Sequence, residues 1–250
     1  MVFLLLTHLN ADVLNKKGKY FFSWGYNTAS YSNSDIHFEG KKYDYTLENV
    51  EASDRPTDFS STYLTDITIP QWNLKVGYYL DDTSSINFEI DHMKYVVNTP
   101  QTVIINGTDH QGNTHHNEAI ELDNFLSFEH TDGLNYWSIS YDQYVSLYVN
   151  KSKTSTVSAF YGLGAGILIP RSNITLHGYS ERKDDFKLAG YGADLQGGFM
   201  IDFLENYFTR IEVKAGRINM PNISTSPASS DKASQNFNFL EYSLSIGYTF

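Results

Sequence analysis

Nine charged residues stand at every second place of otherwise apolar-alternating segments: Lys75, Glu89, Asp91, Asp142, Asp194, Arg210, Glu212, Lys214 and Glu241. In an extended chain, period two puts such a set on one face. Gathered in a common interior, paired and hydrogen-bonded, these groups make a plug that satisfies itself. Left unpaired, the carboxylates would line a pathway that favours cations. Acidic members outnumber basic ones six to three, so some carboxylates must be solvated or protonated. Lys75 should lie across a hairpin from Glu89 or Asp91, and Arg210 and Lys214 belong to the segment before that of Glu241.

The histidines are the other chemistry-bearing group. His110, His115 and His116 fall in one polar stretch with Asp109 and Glu118, and such a mixture can hold zinc or copper. Adjacent His115 and His116 point to opposite sides of a strand, which is poor ligand geometry, so the three are weak candidates and no metal site is assigned. His92 and Lys94 share an outward face by alternation and are expected to contact lipid headgroups at an interface. A histidine-driven hydrolase needs a nucleophile within reach of its base, but the residues expected beside His92 are Trp72 and Leu74. No catalytic residue and no cofactor is implied.

Composition narrows the field. The 250 residues hold 18 Lys+Arg against 29 Asp+Glu, a formal charge of −11, which argues against a nucleic-acid-binding surface. Zero Cys excludes disulfide staples, thiol catalysis and Cys-ligated zinc. A mean hydropathy of −0.37 excludes a bundle of membrane helices, each of which needs about 20 apolar residues. Yet 19 Tyr and 16 Phe accompany that low hydropathy, and the chain should be β-rich.

Eight segments position the charges. The last is the plainest: Leu240, Tyr242, Leu244, Ile246, Tyr248 and Phe250 alternate with Glu241, Ser243, Ser245, Gly247 and Thr249. The same rule holds from Tyr20 to Tyr26, Trp72 to Leu80, Ile86 to Ile90, Trp137 to Val149, Tyr161 to Ile167, Tyr191 to Ile201 and Tyr207 to Val213. Connections at 81–84, 150–154 and 204–206 are tight, whereas those at about 32–70, 98–133, 170–185 and 220–236 are long. Strict alternation of short and long is the habit of outer-membrane barrels, with short periplasmic turns and long extracellular loops. In hydrocarbon only helices and closed barrels satisfy their backbone. The expected fold is an all-β, membrane-spanning, antiparallel up-and-down barrel of eight strands, its apolar set facing lipid. A second alternating stretch (Ile36, Phe38, Tyr43, Tyr45, Leu47) is read as a hairpin above the membrane; were it to span, the strands would number ten.

The terminal run carries a resemblance. Tyr242, Leu244, Ile246, Tyr248 and a final Phe250 are similar to the C-terminal signal by which bacterial outer-membrane barrels are recognised by the barrel-assembly machinery. The whole pattern resembles the small eight-stranded group that includes OmpX, OmpW, PagL and the membrane domain of OmpA. That resemblance implies a bacterial outer membrane with lipopolysaccharide as neighbour, and the even strand count puts both termini on the periplasmic side with the short turns. Residues 1–18 are read as the remnant of a signal peptide and a lead-in, on the apolar run Val2 to Leu9. Residues 19–250 are read as one barrel domain.

The expected role is structural or surface-interacting, through long loops that meet an extracellular ligand. The rival readings are a narrow pore for ions or small solutes, a lipid A-modifying enzyme, and a lipocalin-like binder with the polarity of its faces inverted.

Overall fold

Alternation becomes a closed ring. The computed structural model describes residues 15–55, 71–152, 154–179, 185–228 and 230–250; the apolar run at the N-terminus lies outside them. In chain order the strands are β1 (Tyr20–Tyr31), β2 (Ser34–Glu39), β3 (Asp44–Val50), β4 (Ala52–Ser53), β5 (Trp72–Asp81), β6 (Ser84–Val97) and β7 (Thr102–Thr108). They continue as β8 (Thr114–Glu121), β9 (Leu126–Val149), β10 (Thr156–Leu168), β11 (Asn173–Leu176), β12 (Gly190–Phe203), β13 (Tyr207–Ser224) and β14 (Lys232–Thr249). Eight of them pair antiparallel in the order β1-β5-β6-β9-β10-β12-β13-β14, and β14 returns to β1 from Phe21↔Thr249 to Tyr31↔Phe239. Closure leaves the ring without an unpaired edge.

The faces are inverted relative to a soluble protein. Leu195 is 68% exposed and Leu244 59%, whereas Lys75 and Glu89 are 3% and 1% exposed. Outward aromatic side chains collect in two rows, Tyr26, Trp72, Trp137, Tyr191 and Tyr242 at one level and Tyr20, Tyr78, Tyr148, Tyr207 and Phe250 at the other. Between them lie only apolar or small outward residues along β14 and β12. An apolar band bounded by aromatic girdles is the exterior of a transmembrane barrel. A lipocalin-like arrangement, with an apolar cavity at this level, is excluded by the buried charges.

The ring strands outrun the band. A transmembrane strand needs about 9–11 residues, and β9 has 24. Above the girdle the phase of the alternation inverts. Along β14 the inward series reads Phe237, Phe239, then Glu241, Ser243, Ser245, while the outward series changes from Asn236 and Asn238 to Tyr242 and Leu244. Along β6 the inward series passes from Glu89 and Asp91 to Met93, Tyr95 and Val97. Water rather than lipid faces the upper part, so its apolar side chains turn inward and form a second core.

That core includes Ile36, Phe38, Tyr45, Leu47, Phe128 and Phe237. β2 prolongs β1 and pairs with the top of β14, β3 pairs with β2, and β7 and β8 extend the same sheet. The first-loop hairpin thus stands above the membrane, and the ring has eight strands. At the opposite end a small cluster of Phe21, Tyr79, Tyr144, Phe160, Met200 and Phe208 closes the ring from inside. Just beneath it Lys16, 6% exposed, bonds Asp202 at 2.9 Å from Nζ and lies over the rings of Tyr79 and Tyr144.

Leu195→Arg places a cation at mid-band and should destabilise the refolded barrel by about 2–4 kcal/mol in vesicles. His116→Arg, outside the band, should leave stability within about 0.5 kcal/mol of wild type. Urea titration monitored by tryptophan fluorescence reads both; equal effects would remove the band from this face.

Candidate functional site

The interior between the two apolar layers is the place where charged chemistry concentrates. Opposite sides of the ring supply it: β13 brings Arg210, Glu212 and Lys214, while β5, β6 and β9 bring Lys75, Glu89, Asp91 and Asp142. Lys75 opposes Glu89 directly in the β5–β6 register, and its Nζ lies 3.0 Å from Glu89 Oε1 and 2.9 Å from Glu212 Oε2. Arg210 Nη2 lies 2.8 Å from Asp142 Oδ2 and 2.6 Å from Glu212 Oε2, and its Nε also donates to Glu212. Lys214 Nζ reaches across the lumen to Glu89 Oε2 at 2.8 Å and Asp91 Oδ2 at 2.5 Å.

Neutral groups complete the web. Gln196 donates to Asp142 Oδ1 at 2.6 Å and Glu89 Oε1 at 3.2 Å, Asn87 donates to Asp142 Oδ2 at 3.0 Å, and Ser140 donates to Glu89. The Arg210 guanidinium sits 3.5 Å from the centroid of Phe160, a cation–π contact that joins the ionic layer to the apolar plug below. Inward glycines on β10 make the room. A Cβ on Gly162 would meet Asp142 Oδ1 at 2.2 Å, and one on Gly164 would meet Asp194 Oδ2 at 2.7 Å.

Seven of the nine residues expected in the lumen therefore form one ion-pair network. The other two are both acidic and supply most of the acidic surplus, the network itself holding four carboxylates against three cations. Asp194 accepts from the Tyr136 hydroxyl at 2.8 Å, and Glu241 opposes Lys214 in register without an ion pair among the described residues. Both lie at the upper edge of the ionic layer, next to the extramembrane core. Gln196, Asn87 and Ser140 were visible in the sequence as inward polar residues by the same alternation. Lys16–Asp202 was not, because 186 residues separate the partners and neither lies in an alternating motif that points to the other.

His92 and Lys94 correct an expectation. Both keep the outward register, but they are 6% and 2% exposed and are not open to lipid. His92 stacks on Trp72 at 5.4 Å and 5°, and its Nδ1 is 2.8 Å from Asn135 Oδ1. The Trp72 ring covers His92, and β4, pairing alongside the top of β6 through Ala52↔Val97 and Ser53↔Val96, brings Asp54 near Lys94.

The histidine-rich stretch is a hairpin of β7 and β8 that does not converge on a metal geometry; among the described residues no cluster of three or more ligands of that kind exists. His110 is buried with Nδ1 3.1 Å from the Tyr45 hydroxyl, and burial pushes its pKa down. His115 is held between Asp109 Oδ2 at 2.8 Å and Glu118 Oε2 at 2.6 Å. The Asp109 contact raises its pKa, with Glu118 adding to it. Burial pushes the Asp109 carboxyl up, but hydrogen bonds from His115, Asn113 and Gln111 outweigh this and hold it below its usual value. Sequence reasoning missed a different pair: His130 Nδ1 lies 2.8 Å from Ser172 Oγ. Both are buried, burial drives His130 down to about 3, and its other nitrogen faces Gln235 rather than a carboxylate. This is a packed neutral pair, without the acid and access that a hydrolytic triad requires.

Tyr242, Leu244, Ile246, Tyr248 and Phe250 all lie on the outward face of the closing strand. No known protein family and no curated protein matches the sequence. Solved structures are similar in architecture. OprG from Pseudomonas aeruginosa, an outer-membrane protein, shares 11% identity with a TM-score of 0.46, over 96% of this chain and 99% of its own. The outer-membrane protein AlkL, determined in lipid bilayers, shares 11% identity with a TM-score of 0.44, over 98% of this chain and 95% of its own. Ail, the attachment invasion locus protein of Yersinia pestis, shares 10% identity with a TM-score of 0.36, over 94% and 99%.

Two outcomes test the site. Lys214→Met leaves Glu89 and Asp91 facing one another and should cost about 3–5 kcal/mol in urea unfolding. Glu241→Gln removes a carboxyl group that has no ion pair among the described residues and should be neutral or stabilising. Equal losses for both would mean that the network is not organised around Lys214. At the hairpin, the His115 imidazole should titrate above 6.5 by NMR. Its contribution to hairpin stability is present below the unfolded-state pKa and disappears as pH rises through the folded value. Asp109→Asn should reduce the upward shift, leaving the smaller part that Glu118 supplies; an unshifted His115 in the wild type would refute the clamp.

Proposed function

We propose that this chain is a non-conducting outer-membrane anchor whose working surface is the β-structure carried above the bilayer. The observation that supports this is the layered interior. An ionic network spans the lumen from β13 to β5, β6 and β9, and apolar clusters cover it on both sides. An ion crossing would have to displace Arg210 and Lys214 from their carboxylates and also pass two layers built mainly of apolar and aromatic side chains. The ring provides a stiff stave. The upper sheet, with its own core, presents the β7–β8 hairpin and the longer connections to a surface partner. In this reading both termini face the periplasm, lipopolysaccharide surrounds the upper girdle, and the Tyr242–Phe250 strand is the feature read by the barrel-assembly machinery.

Planar-bilayer recording of the refolded protein tests the reading directly, with insertion confirmed by protease protection in matched vesicles. Wild type and Lys75→Ala should both be electrically silent, because loss of one cation leaves Arg210, Lys214 and the two apolar layers in place. Arg210→Ala, which also removes the contact to Phe160, should flicker at most. Steady wild-type conductance altered by either substitution would sink the closed-barrel reading and put the narrow pore in its place.

A further inference from the structure

Much of the exterior of the band is bulky, and the facing upper parts of β10 and β12 depart from this. On β10 and β12 the outward residues Ala165 and Ala193 oppose each other directly, with Gly166 opposite Gly192 beside them. A groove of about 520 Å³ results, lined by these four residues with Tyr191, Arg217 and Asn219. It lies between larger outward neighbours, Leu163 and Ile167 on one strand and Tyr191 and Leu195 on the other, all exposed.

The groove ends at a cation. Ala193 opposes Arg217 in the β12–β13 register, so the guanidinium stands one strand further along the same transverse row. That row climbs from Ile139 through Ala165 and Ala193 to Arg217 and then Asn238, out of the apolar band and into the polar upper wall. Tyr191 marks the girdle at this height, its hydroxyl accepting from Asn219 Nδ2 at 2.9 Å. Arg217 gives one hydrogen bond from Nη2 to Asn236 Oδ1 at 2.8 Å and pairs with no carboxylate among the described residues. In a protein of net charge −11, whose lumen cations are all engaged by carboxylates, an outward arginine without an acid is conspicuous.

We propose that this groove is a binding site for a phosphorylated glycolipid of the lipid A type, with one acyl chain in the Ala165–Ala193 trough and a phosphate on Arg217. The complementarity has two parts. The trough offers an acyl chain contact with backbone-level surface that the larger side chains beside it, Leu163, Ile167, Tyr191 and Leu195, do not. The guanidinium offers a phosphate several of its five N–H donors in a planar fork, at the depth where a headgroup begins. Lipid A rather than a phospholipid follows from which end of the barrel carries the site. Arg217 lies toward the long connections, and on the orientation proposed above that end faces the outer leaflet.

Native mass spectrometry of the full chain, purified in mild detergent after incubation with an equimolar mixture of lipid A and phosphatidylglycerol, tests the assignment. The wild type should retain one lipid A. Arg217→Ala should lower the retained fraction about tenfold, in keeping with one lost charge-assisted phosphate contact. Ala193→Leu, which fills the trough while leaving the arginine, should lower it similarly, and Arg217→Lys should hold an intermediate amount. Both positions face outward, so urea stability and protease protection should match wild type. Retention undiminished in Arg217→Ala and Ala193→Leu would overturn the site, as would an inserted wild type that keeps no lipid. Preferential retention of phosphatidylglycerol would overturn the choice of lipid A. Conductance appearing in the bilayer recordings would touch only the closed-barrel reading and leave this one standing.

Discussion

The cross-lumen contact of β13 with β5, β6 and β9 is the interaction on which the rest of the structure depends. An eight-stranded ring has an interior just wide enough to be filled by side chains, so a lysine or arginine on one wall can reach carboxylates on the other. Lys214 does so toward Glu89 and Asp91, Arg210 toward Asp142, and Lys75 in the reverse direction toward Glu212. Removing charges from water is unfavourable unless each is paired and hydrogen-bonded. That requirement fixes strand register, the glycines that β10 contributes, and the close approach of Gln196, Asn87 and Ser140.

The apolar layers above and below follow from the same constraint. Ion pairs strengthen as local dielectric falls, and water admitted from either mouth would weaken the contacts that close the ring. Phe160 under Arg210 and the Phe208–Phe21–Tyr79 packing shield the network on one side. Tyr136, Phe239 and the extramembrane core shield it on the other. Lys16 with Asp202 then adds a last polar contact below the plug. Polarity thus changes three times along the barrel axis, although the backbone pairing is continuous throughout.

This layering explains what the sequence could and could not disclose. The eight spanning strands were legible because lipid imposes one outward rule, apolar at every second residue, and Leu240 to Phe250 states it in full. The upper halves of β6, β9, β13 and β14 obey the opposite phase. Asn236-Phe237-Asn238-Phe239 is as regular an alternation as the run that follows it, but it reads as a loop to an eye that expects outward apolar residues. The lumen set was legible one residue at a time. Its pairing was not, since β13 and β6 meet across the ring and not through a hairpin. His92 and Lys94 were misassigned for a related reason: alternation gives the side of the sheet, and says nothing of whether lipid or another segment of the chain covers that side.

The inversion of phase also separates two kinds of freedom in this molecule. Within the band, inward residues answer to the ionic network and outward residues to lipid, so nearly every position carries a burial requirement of its own. Above the girdle the core answers only to internal packing of Phe38, Tyr45, Phe128 and their neighbours, and the outward face of β7 and β8 answers to water. A surface that must change to meet different partners can change there without disturbing the charges that hold the ring. The β7–β8 hairpin carries its own local clamp at His115, and its tip is ordered by Asp109 accepting from the Gln111 and Asn113 amides. On the function proposed above, order that is local in this way makes the hairpin, and not the lumen, the part of the fold suited to recognition.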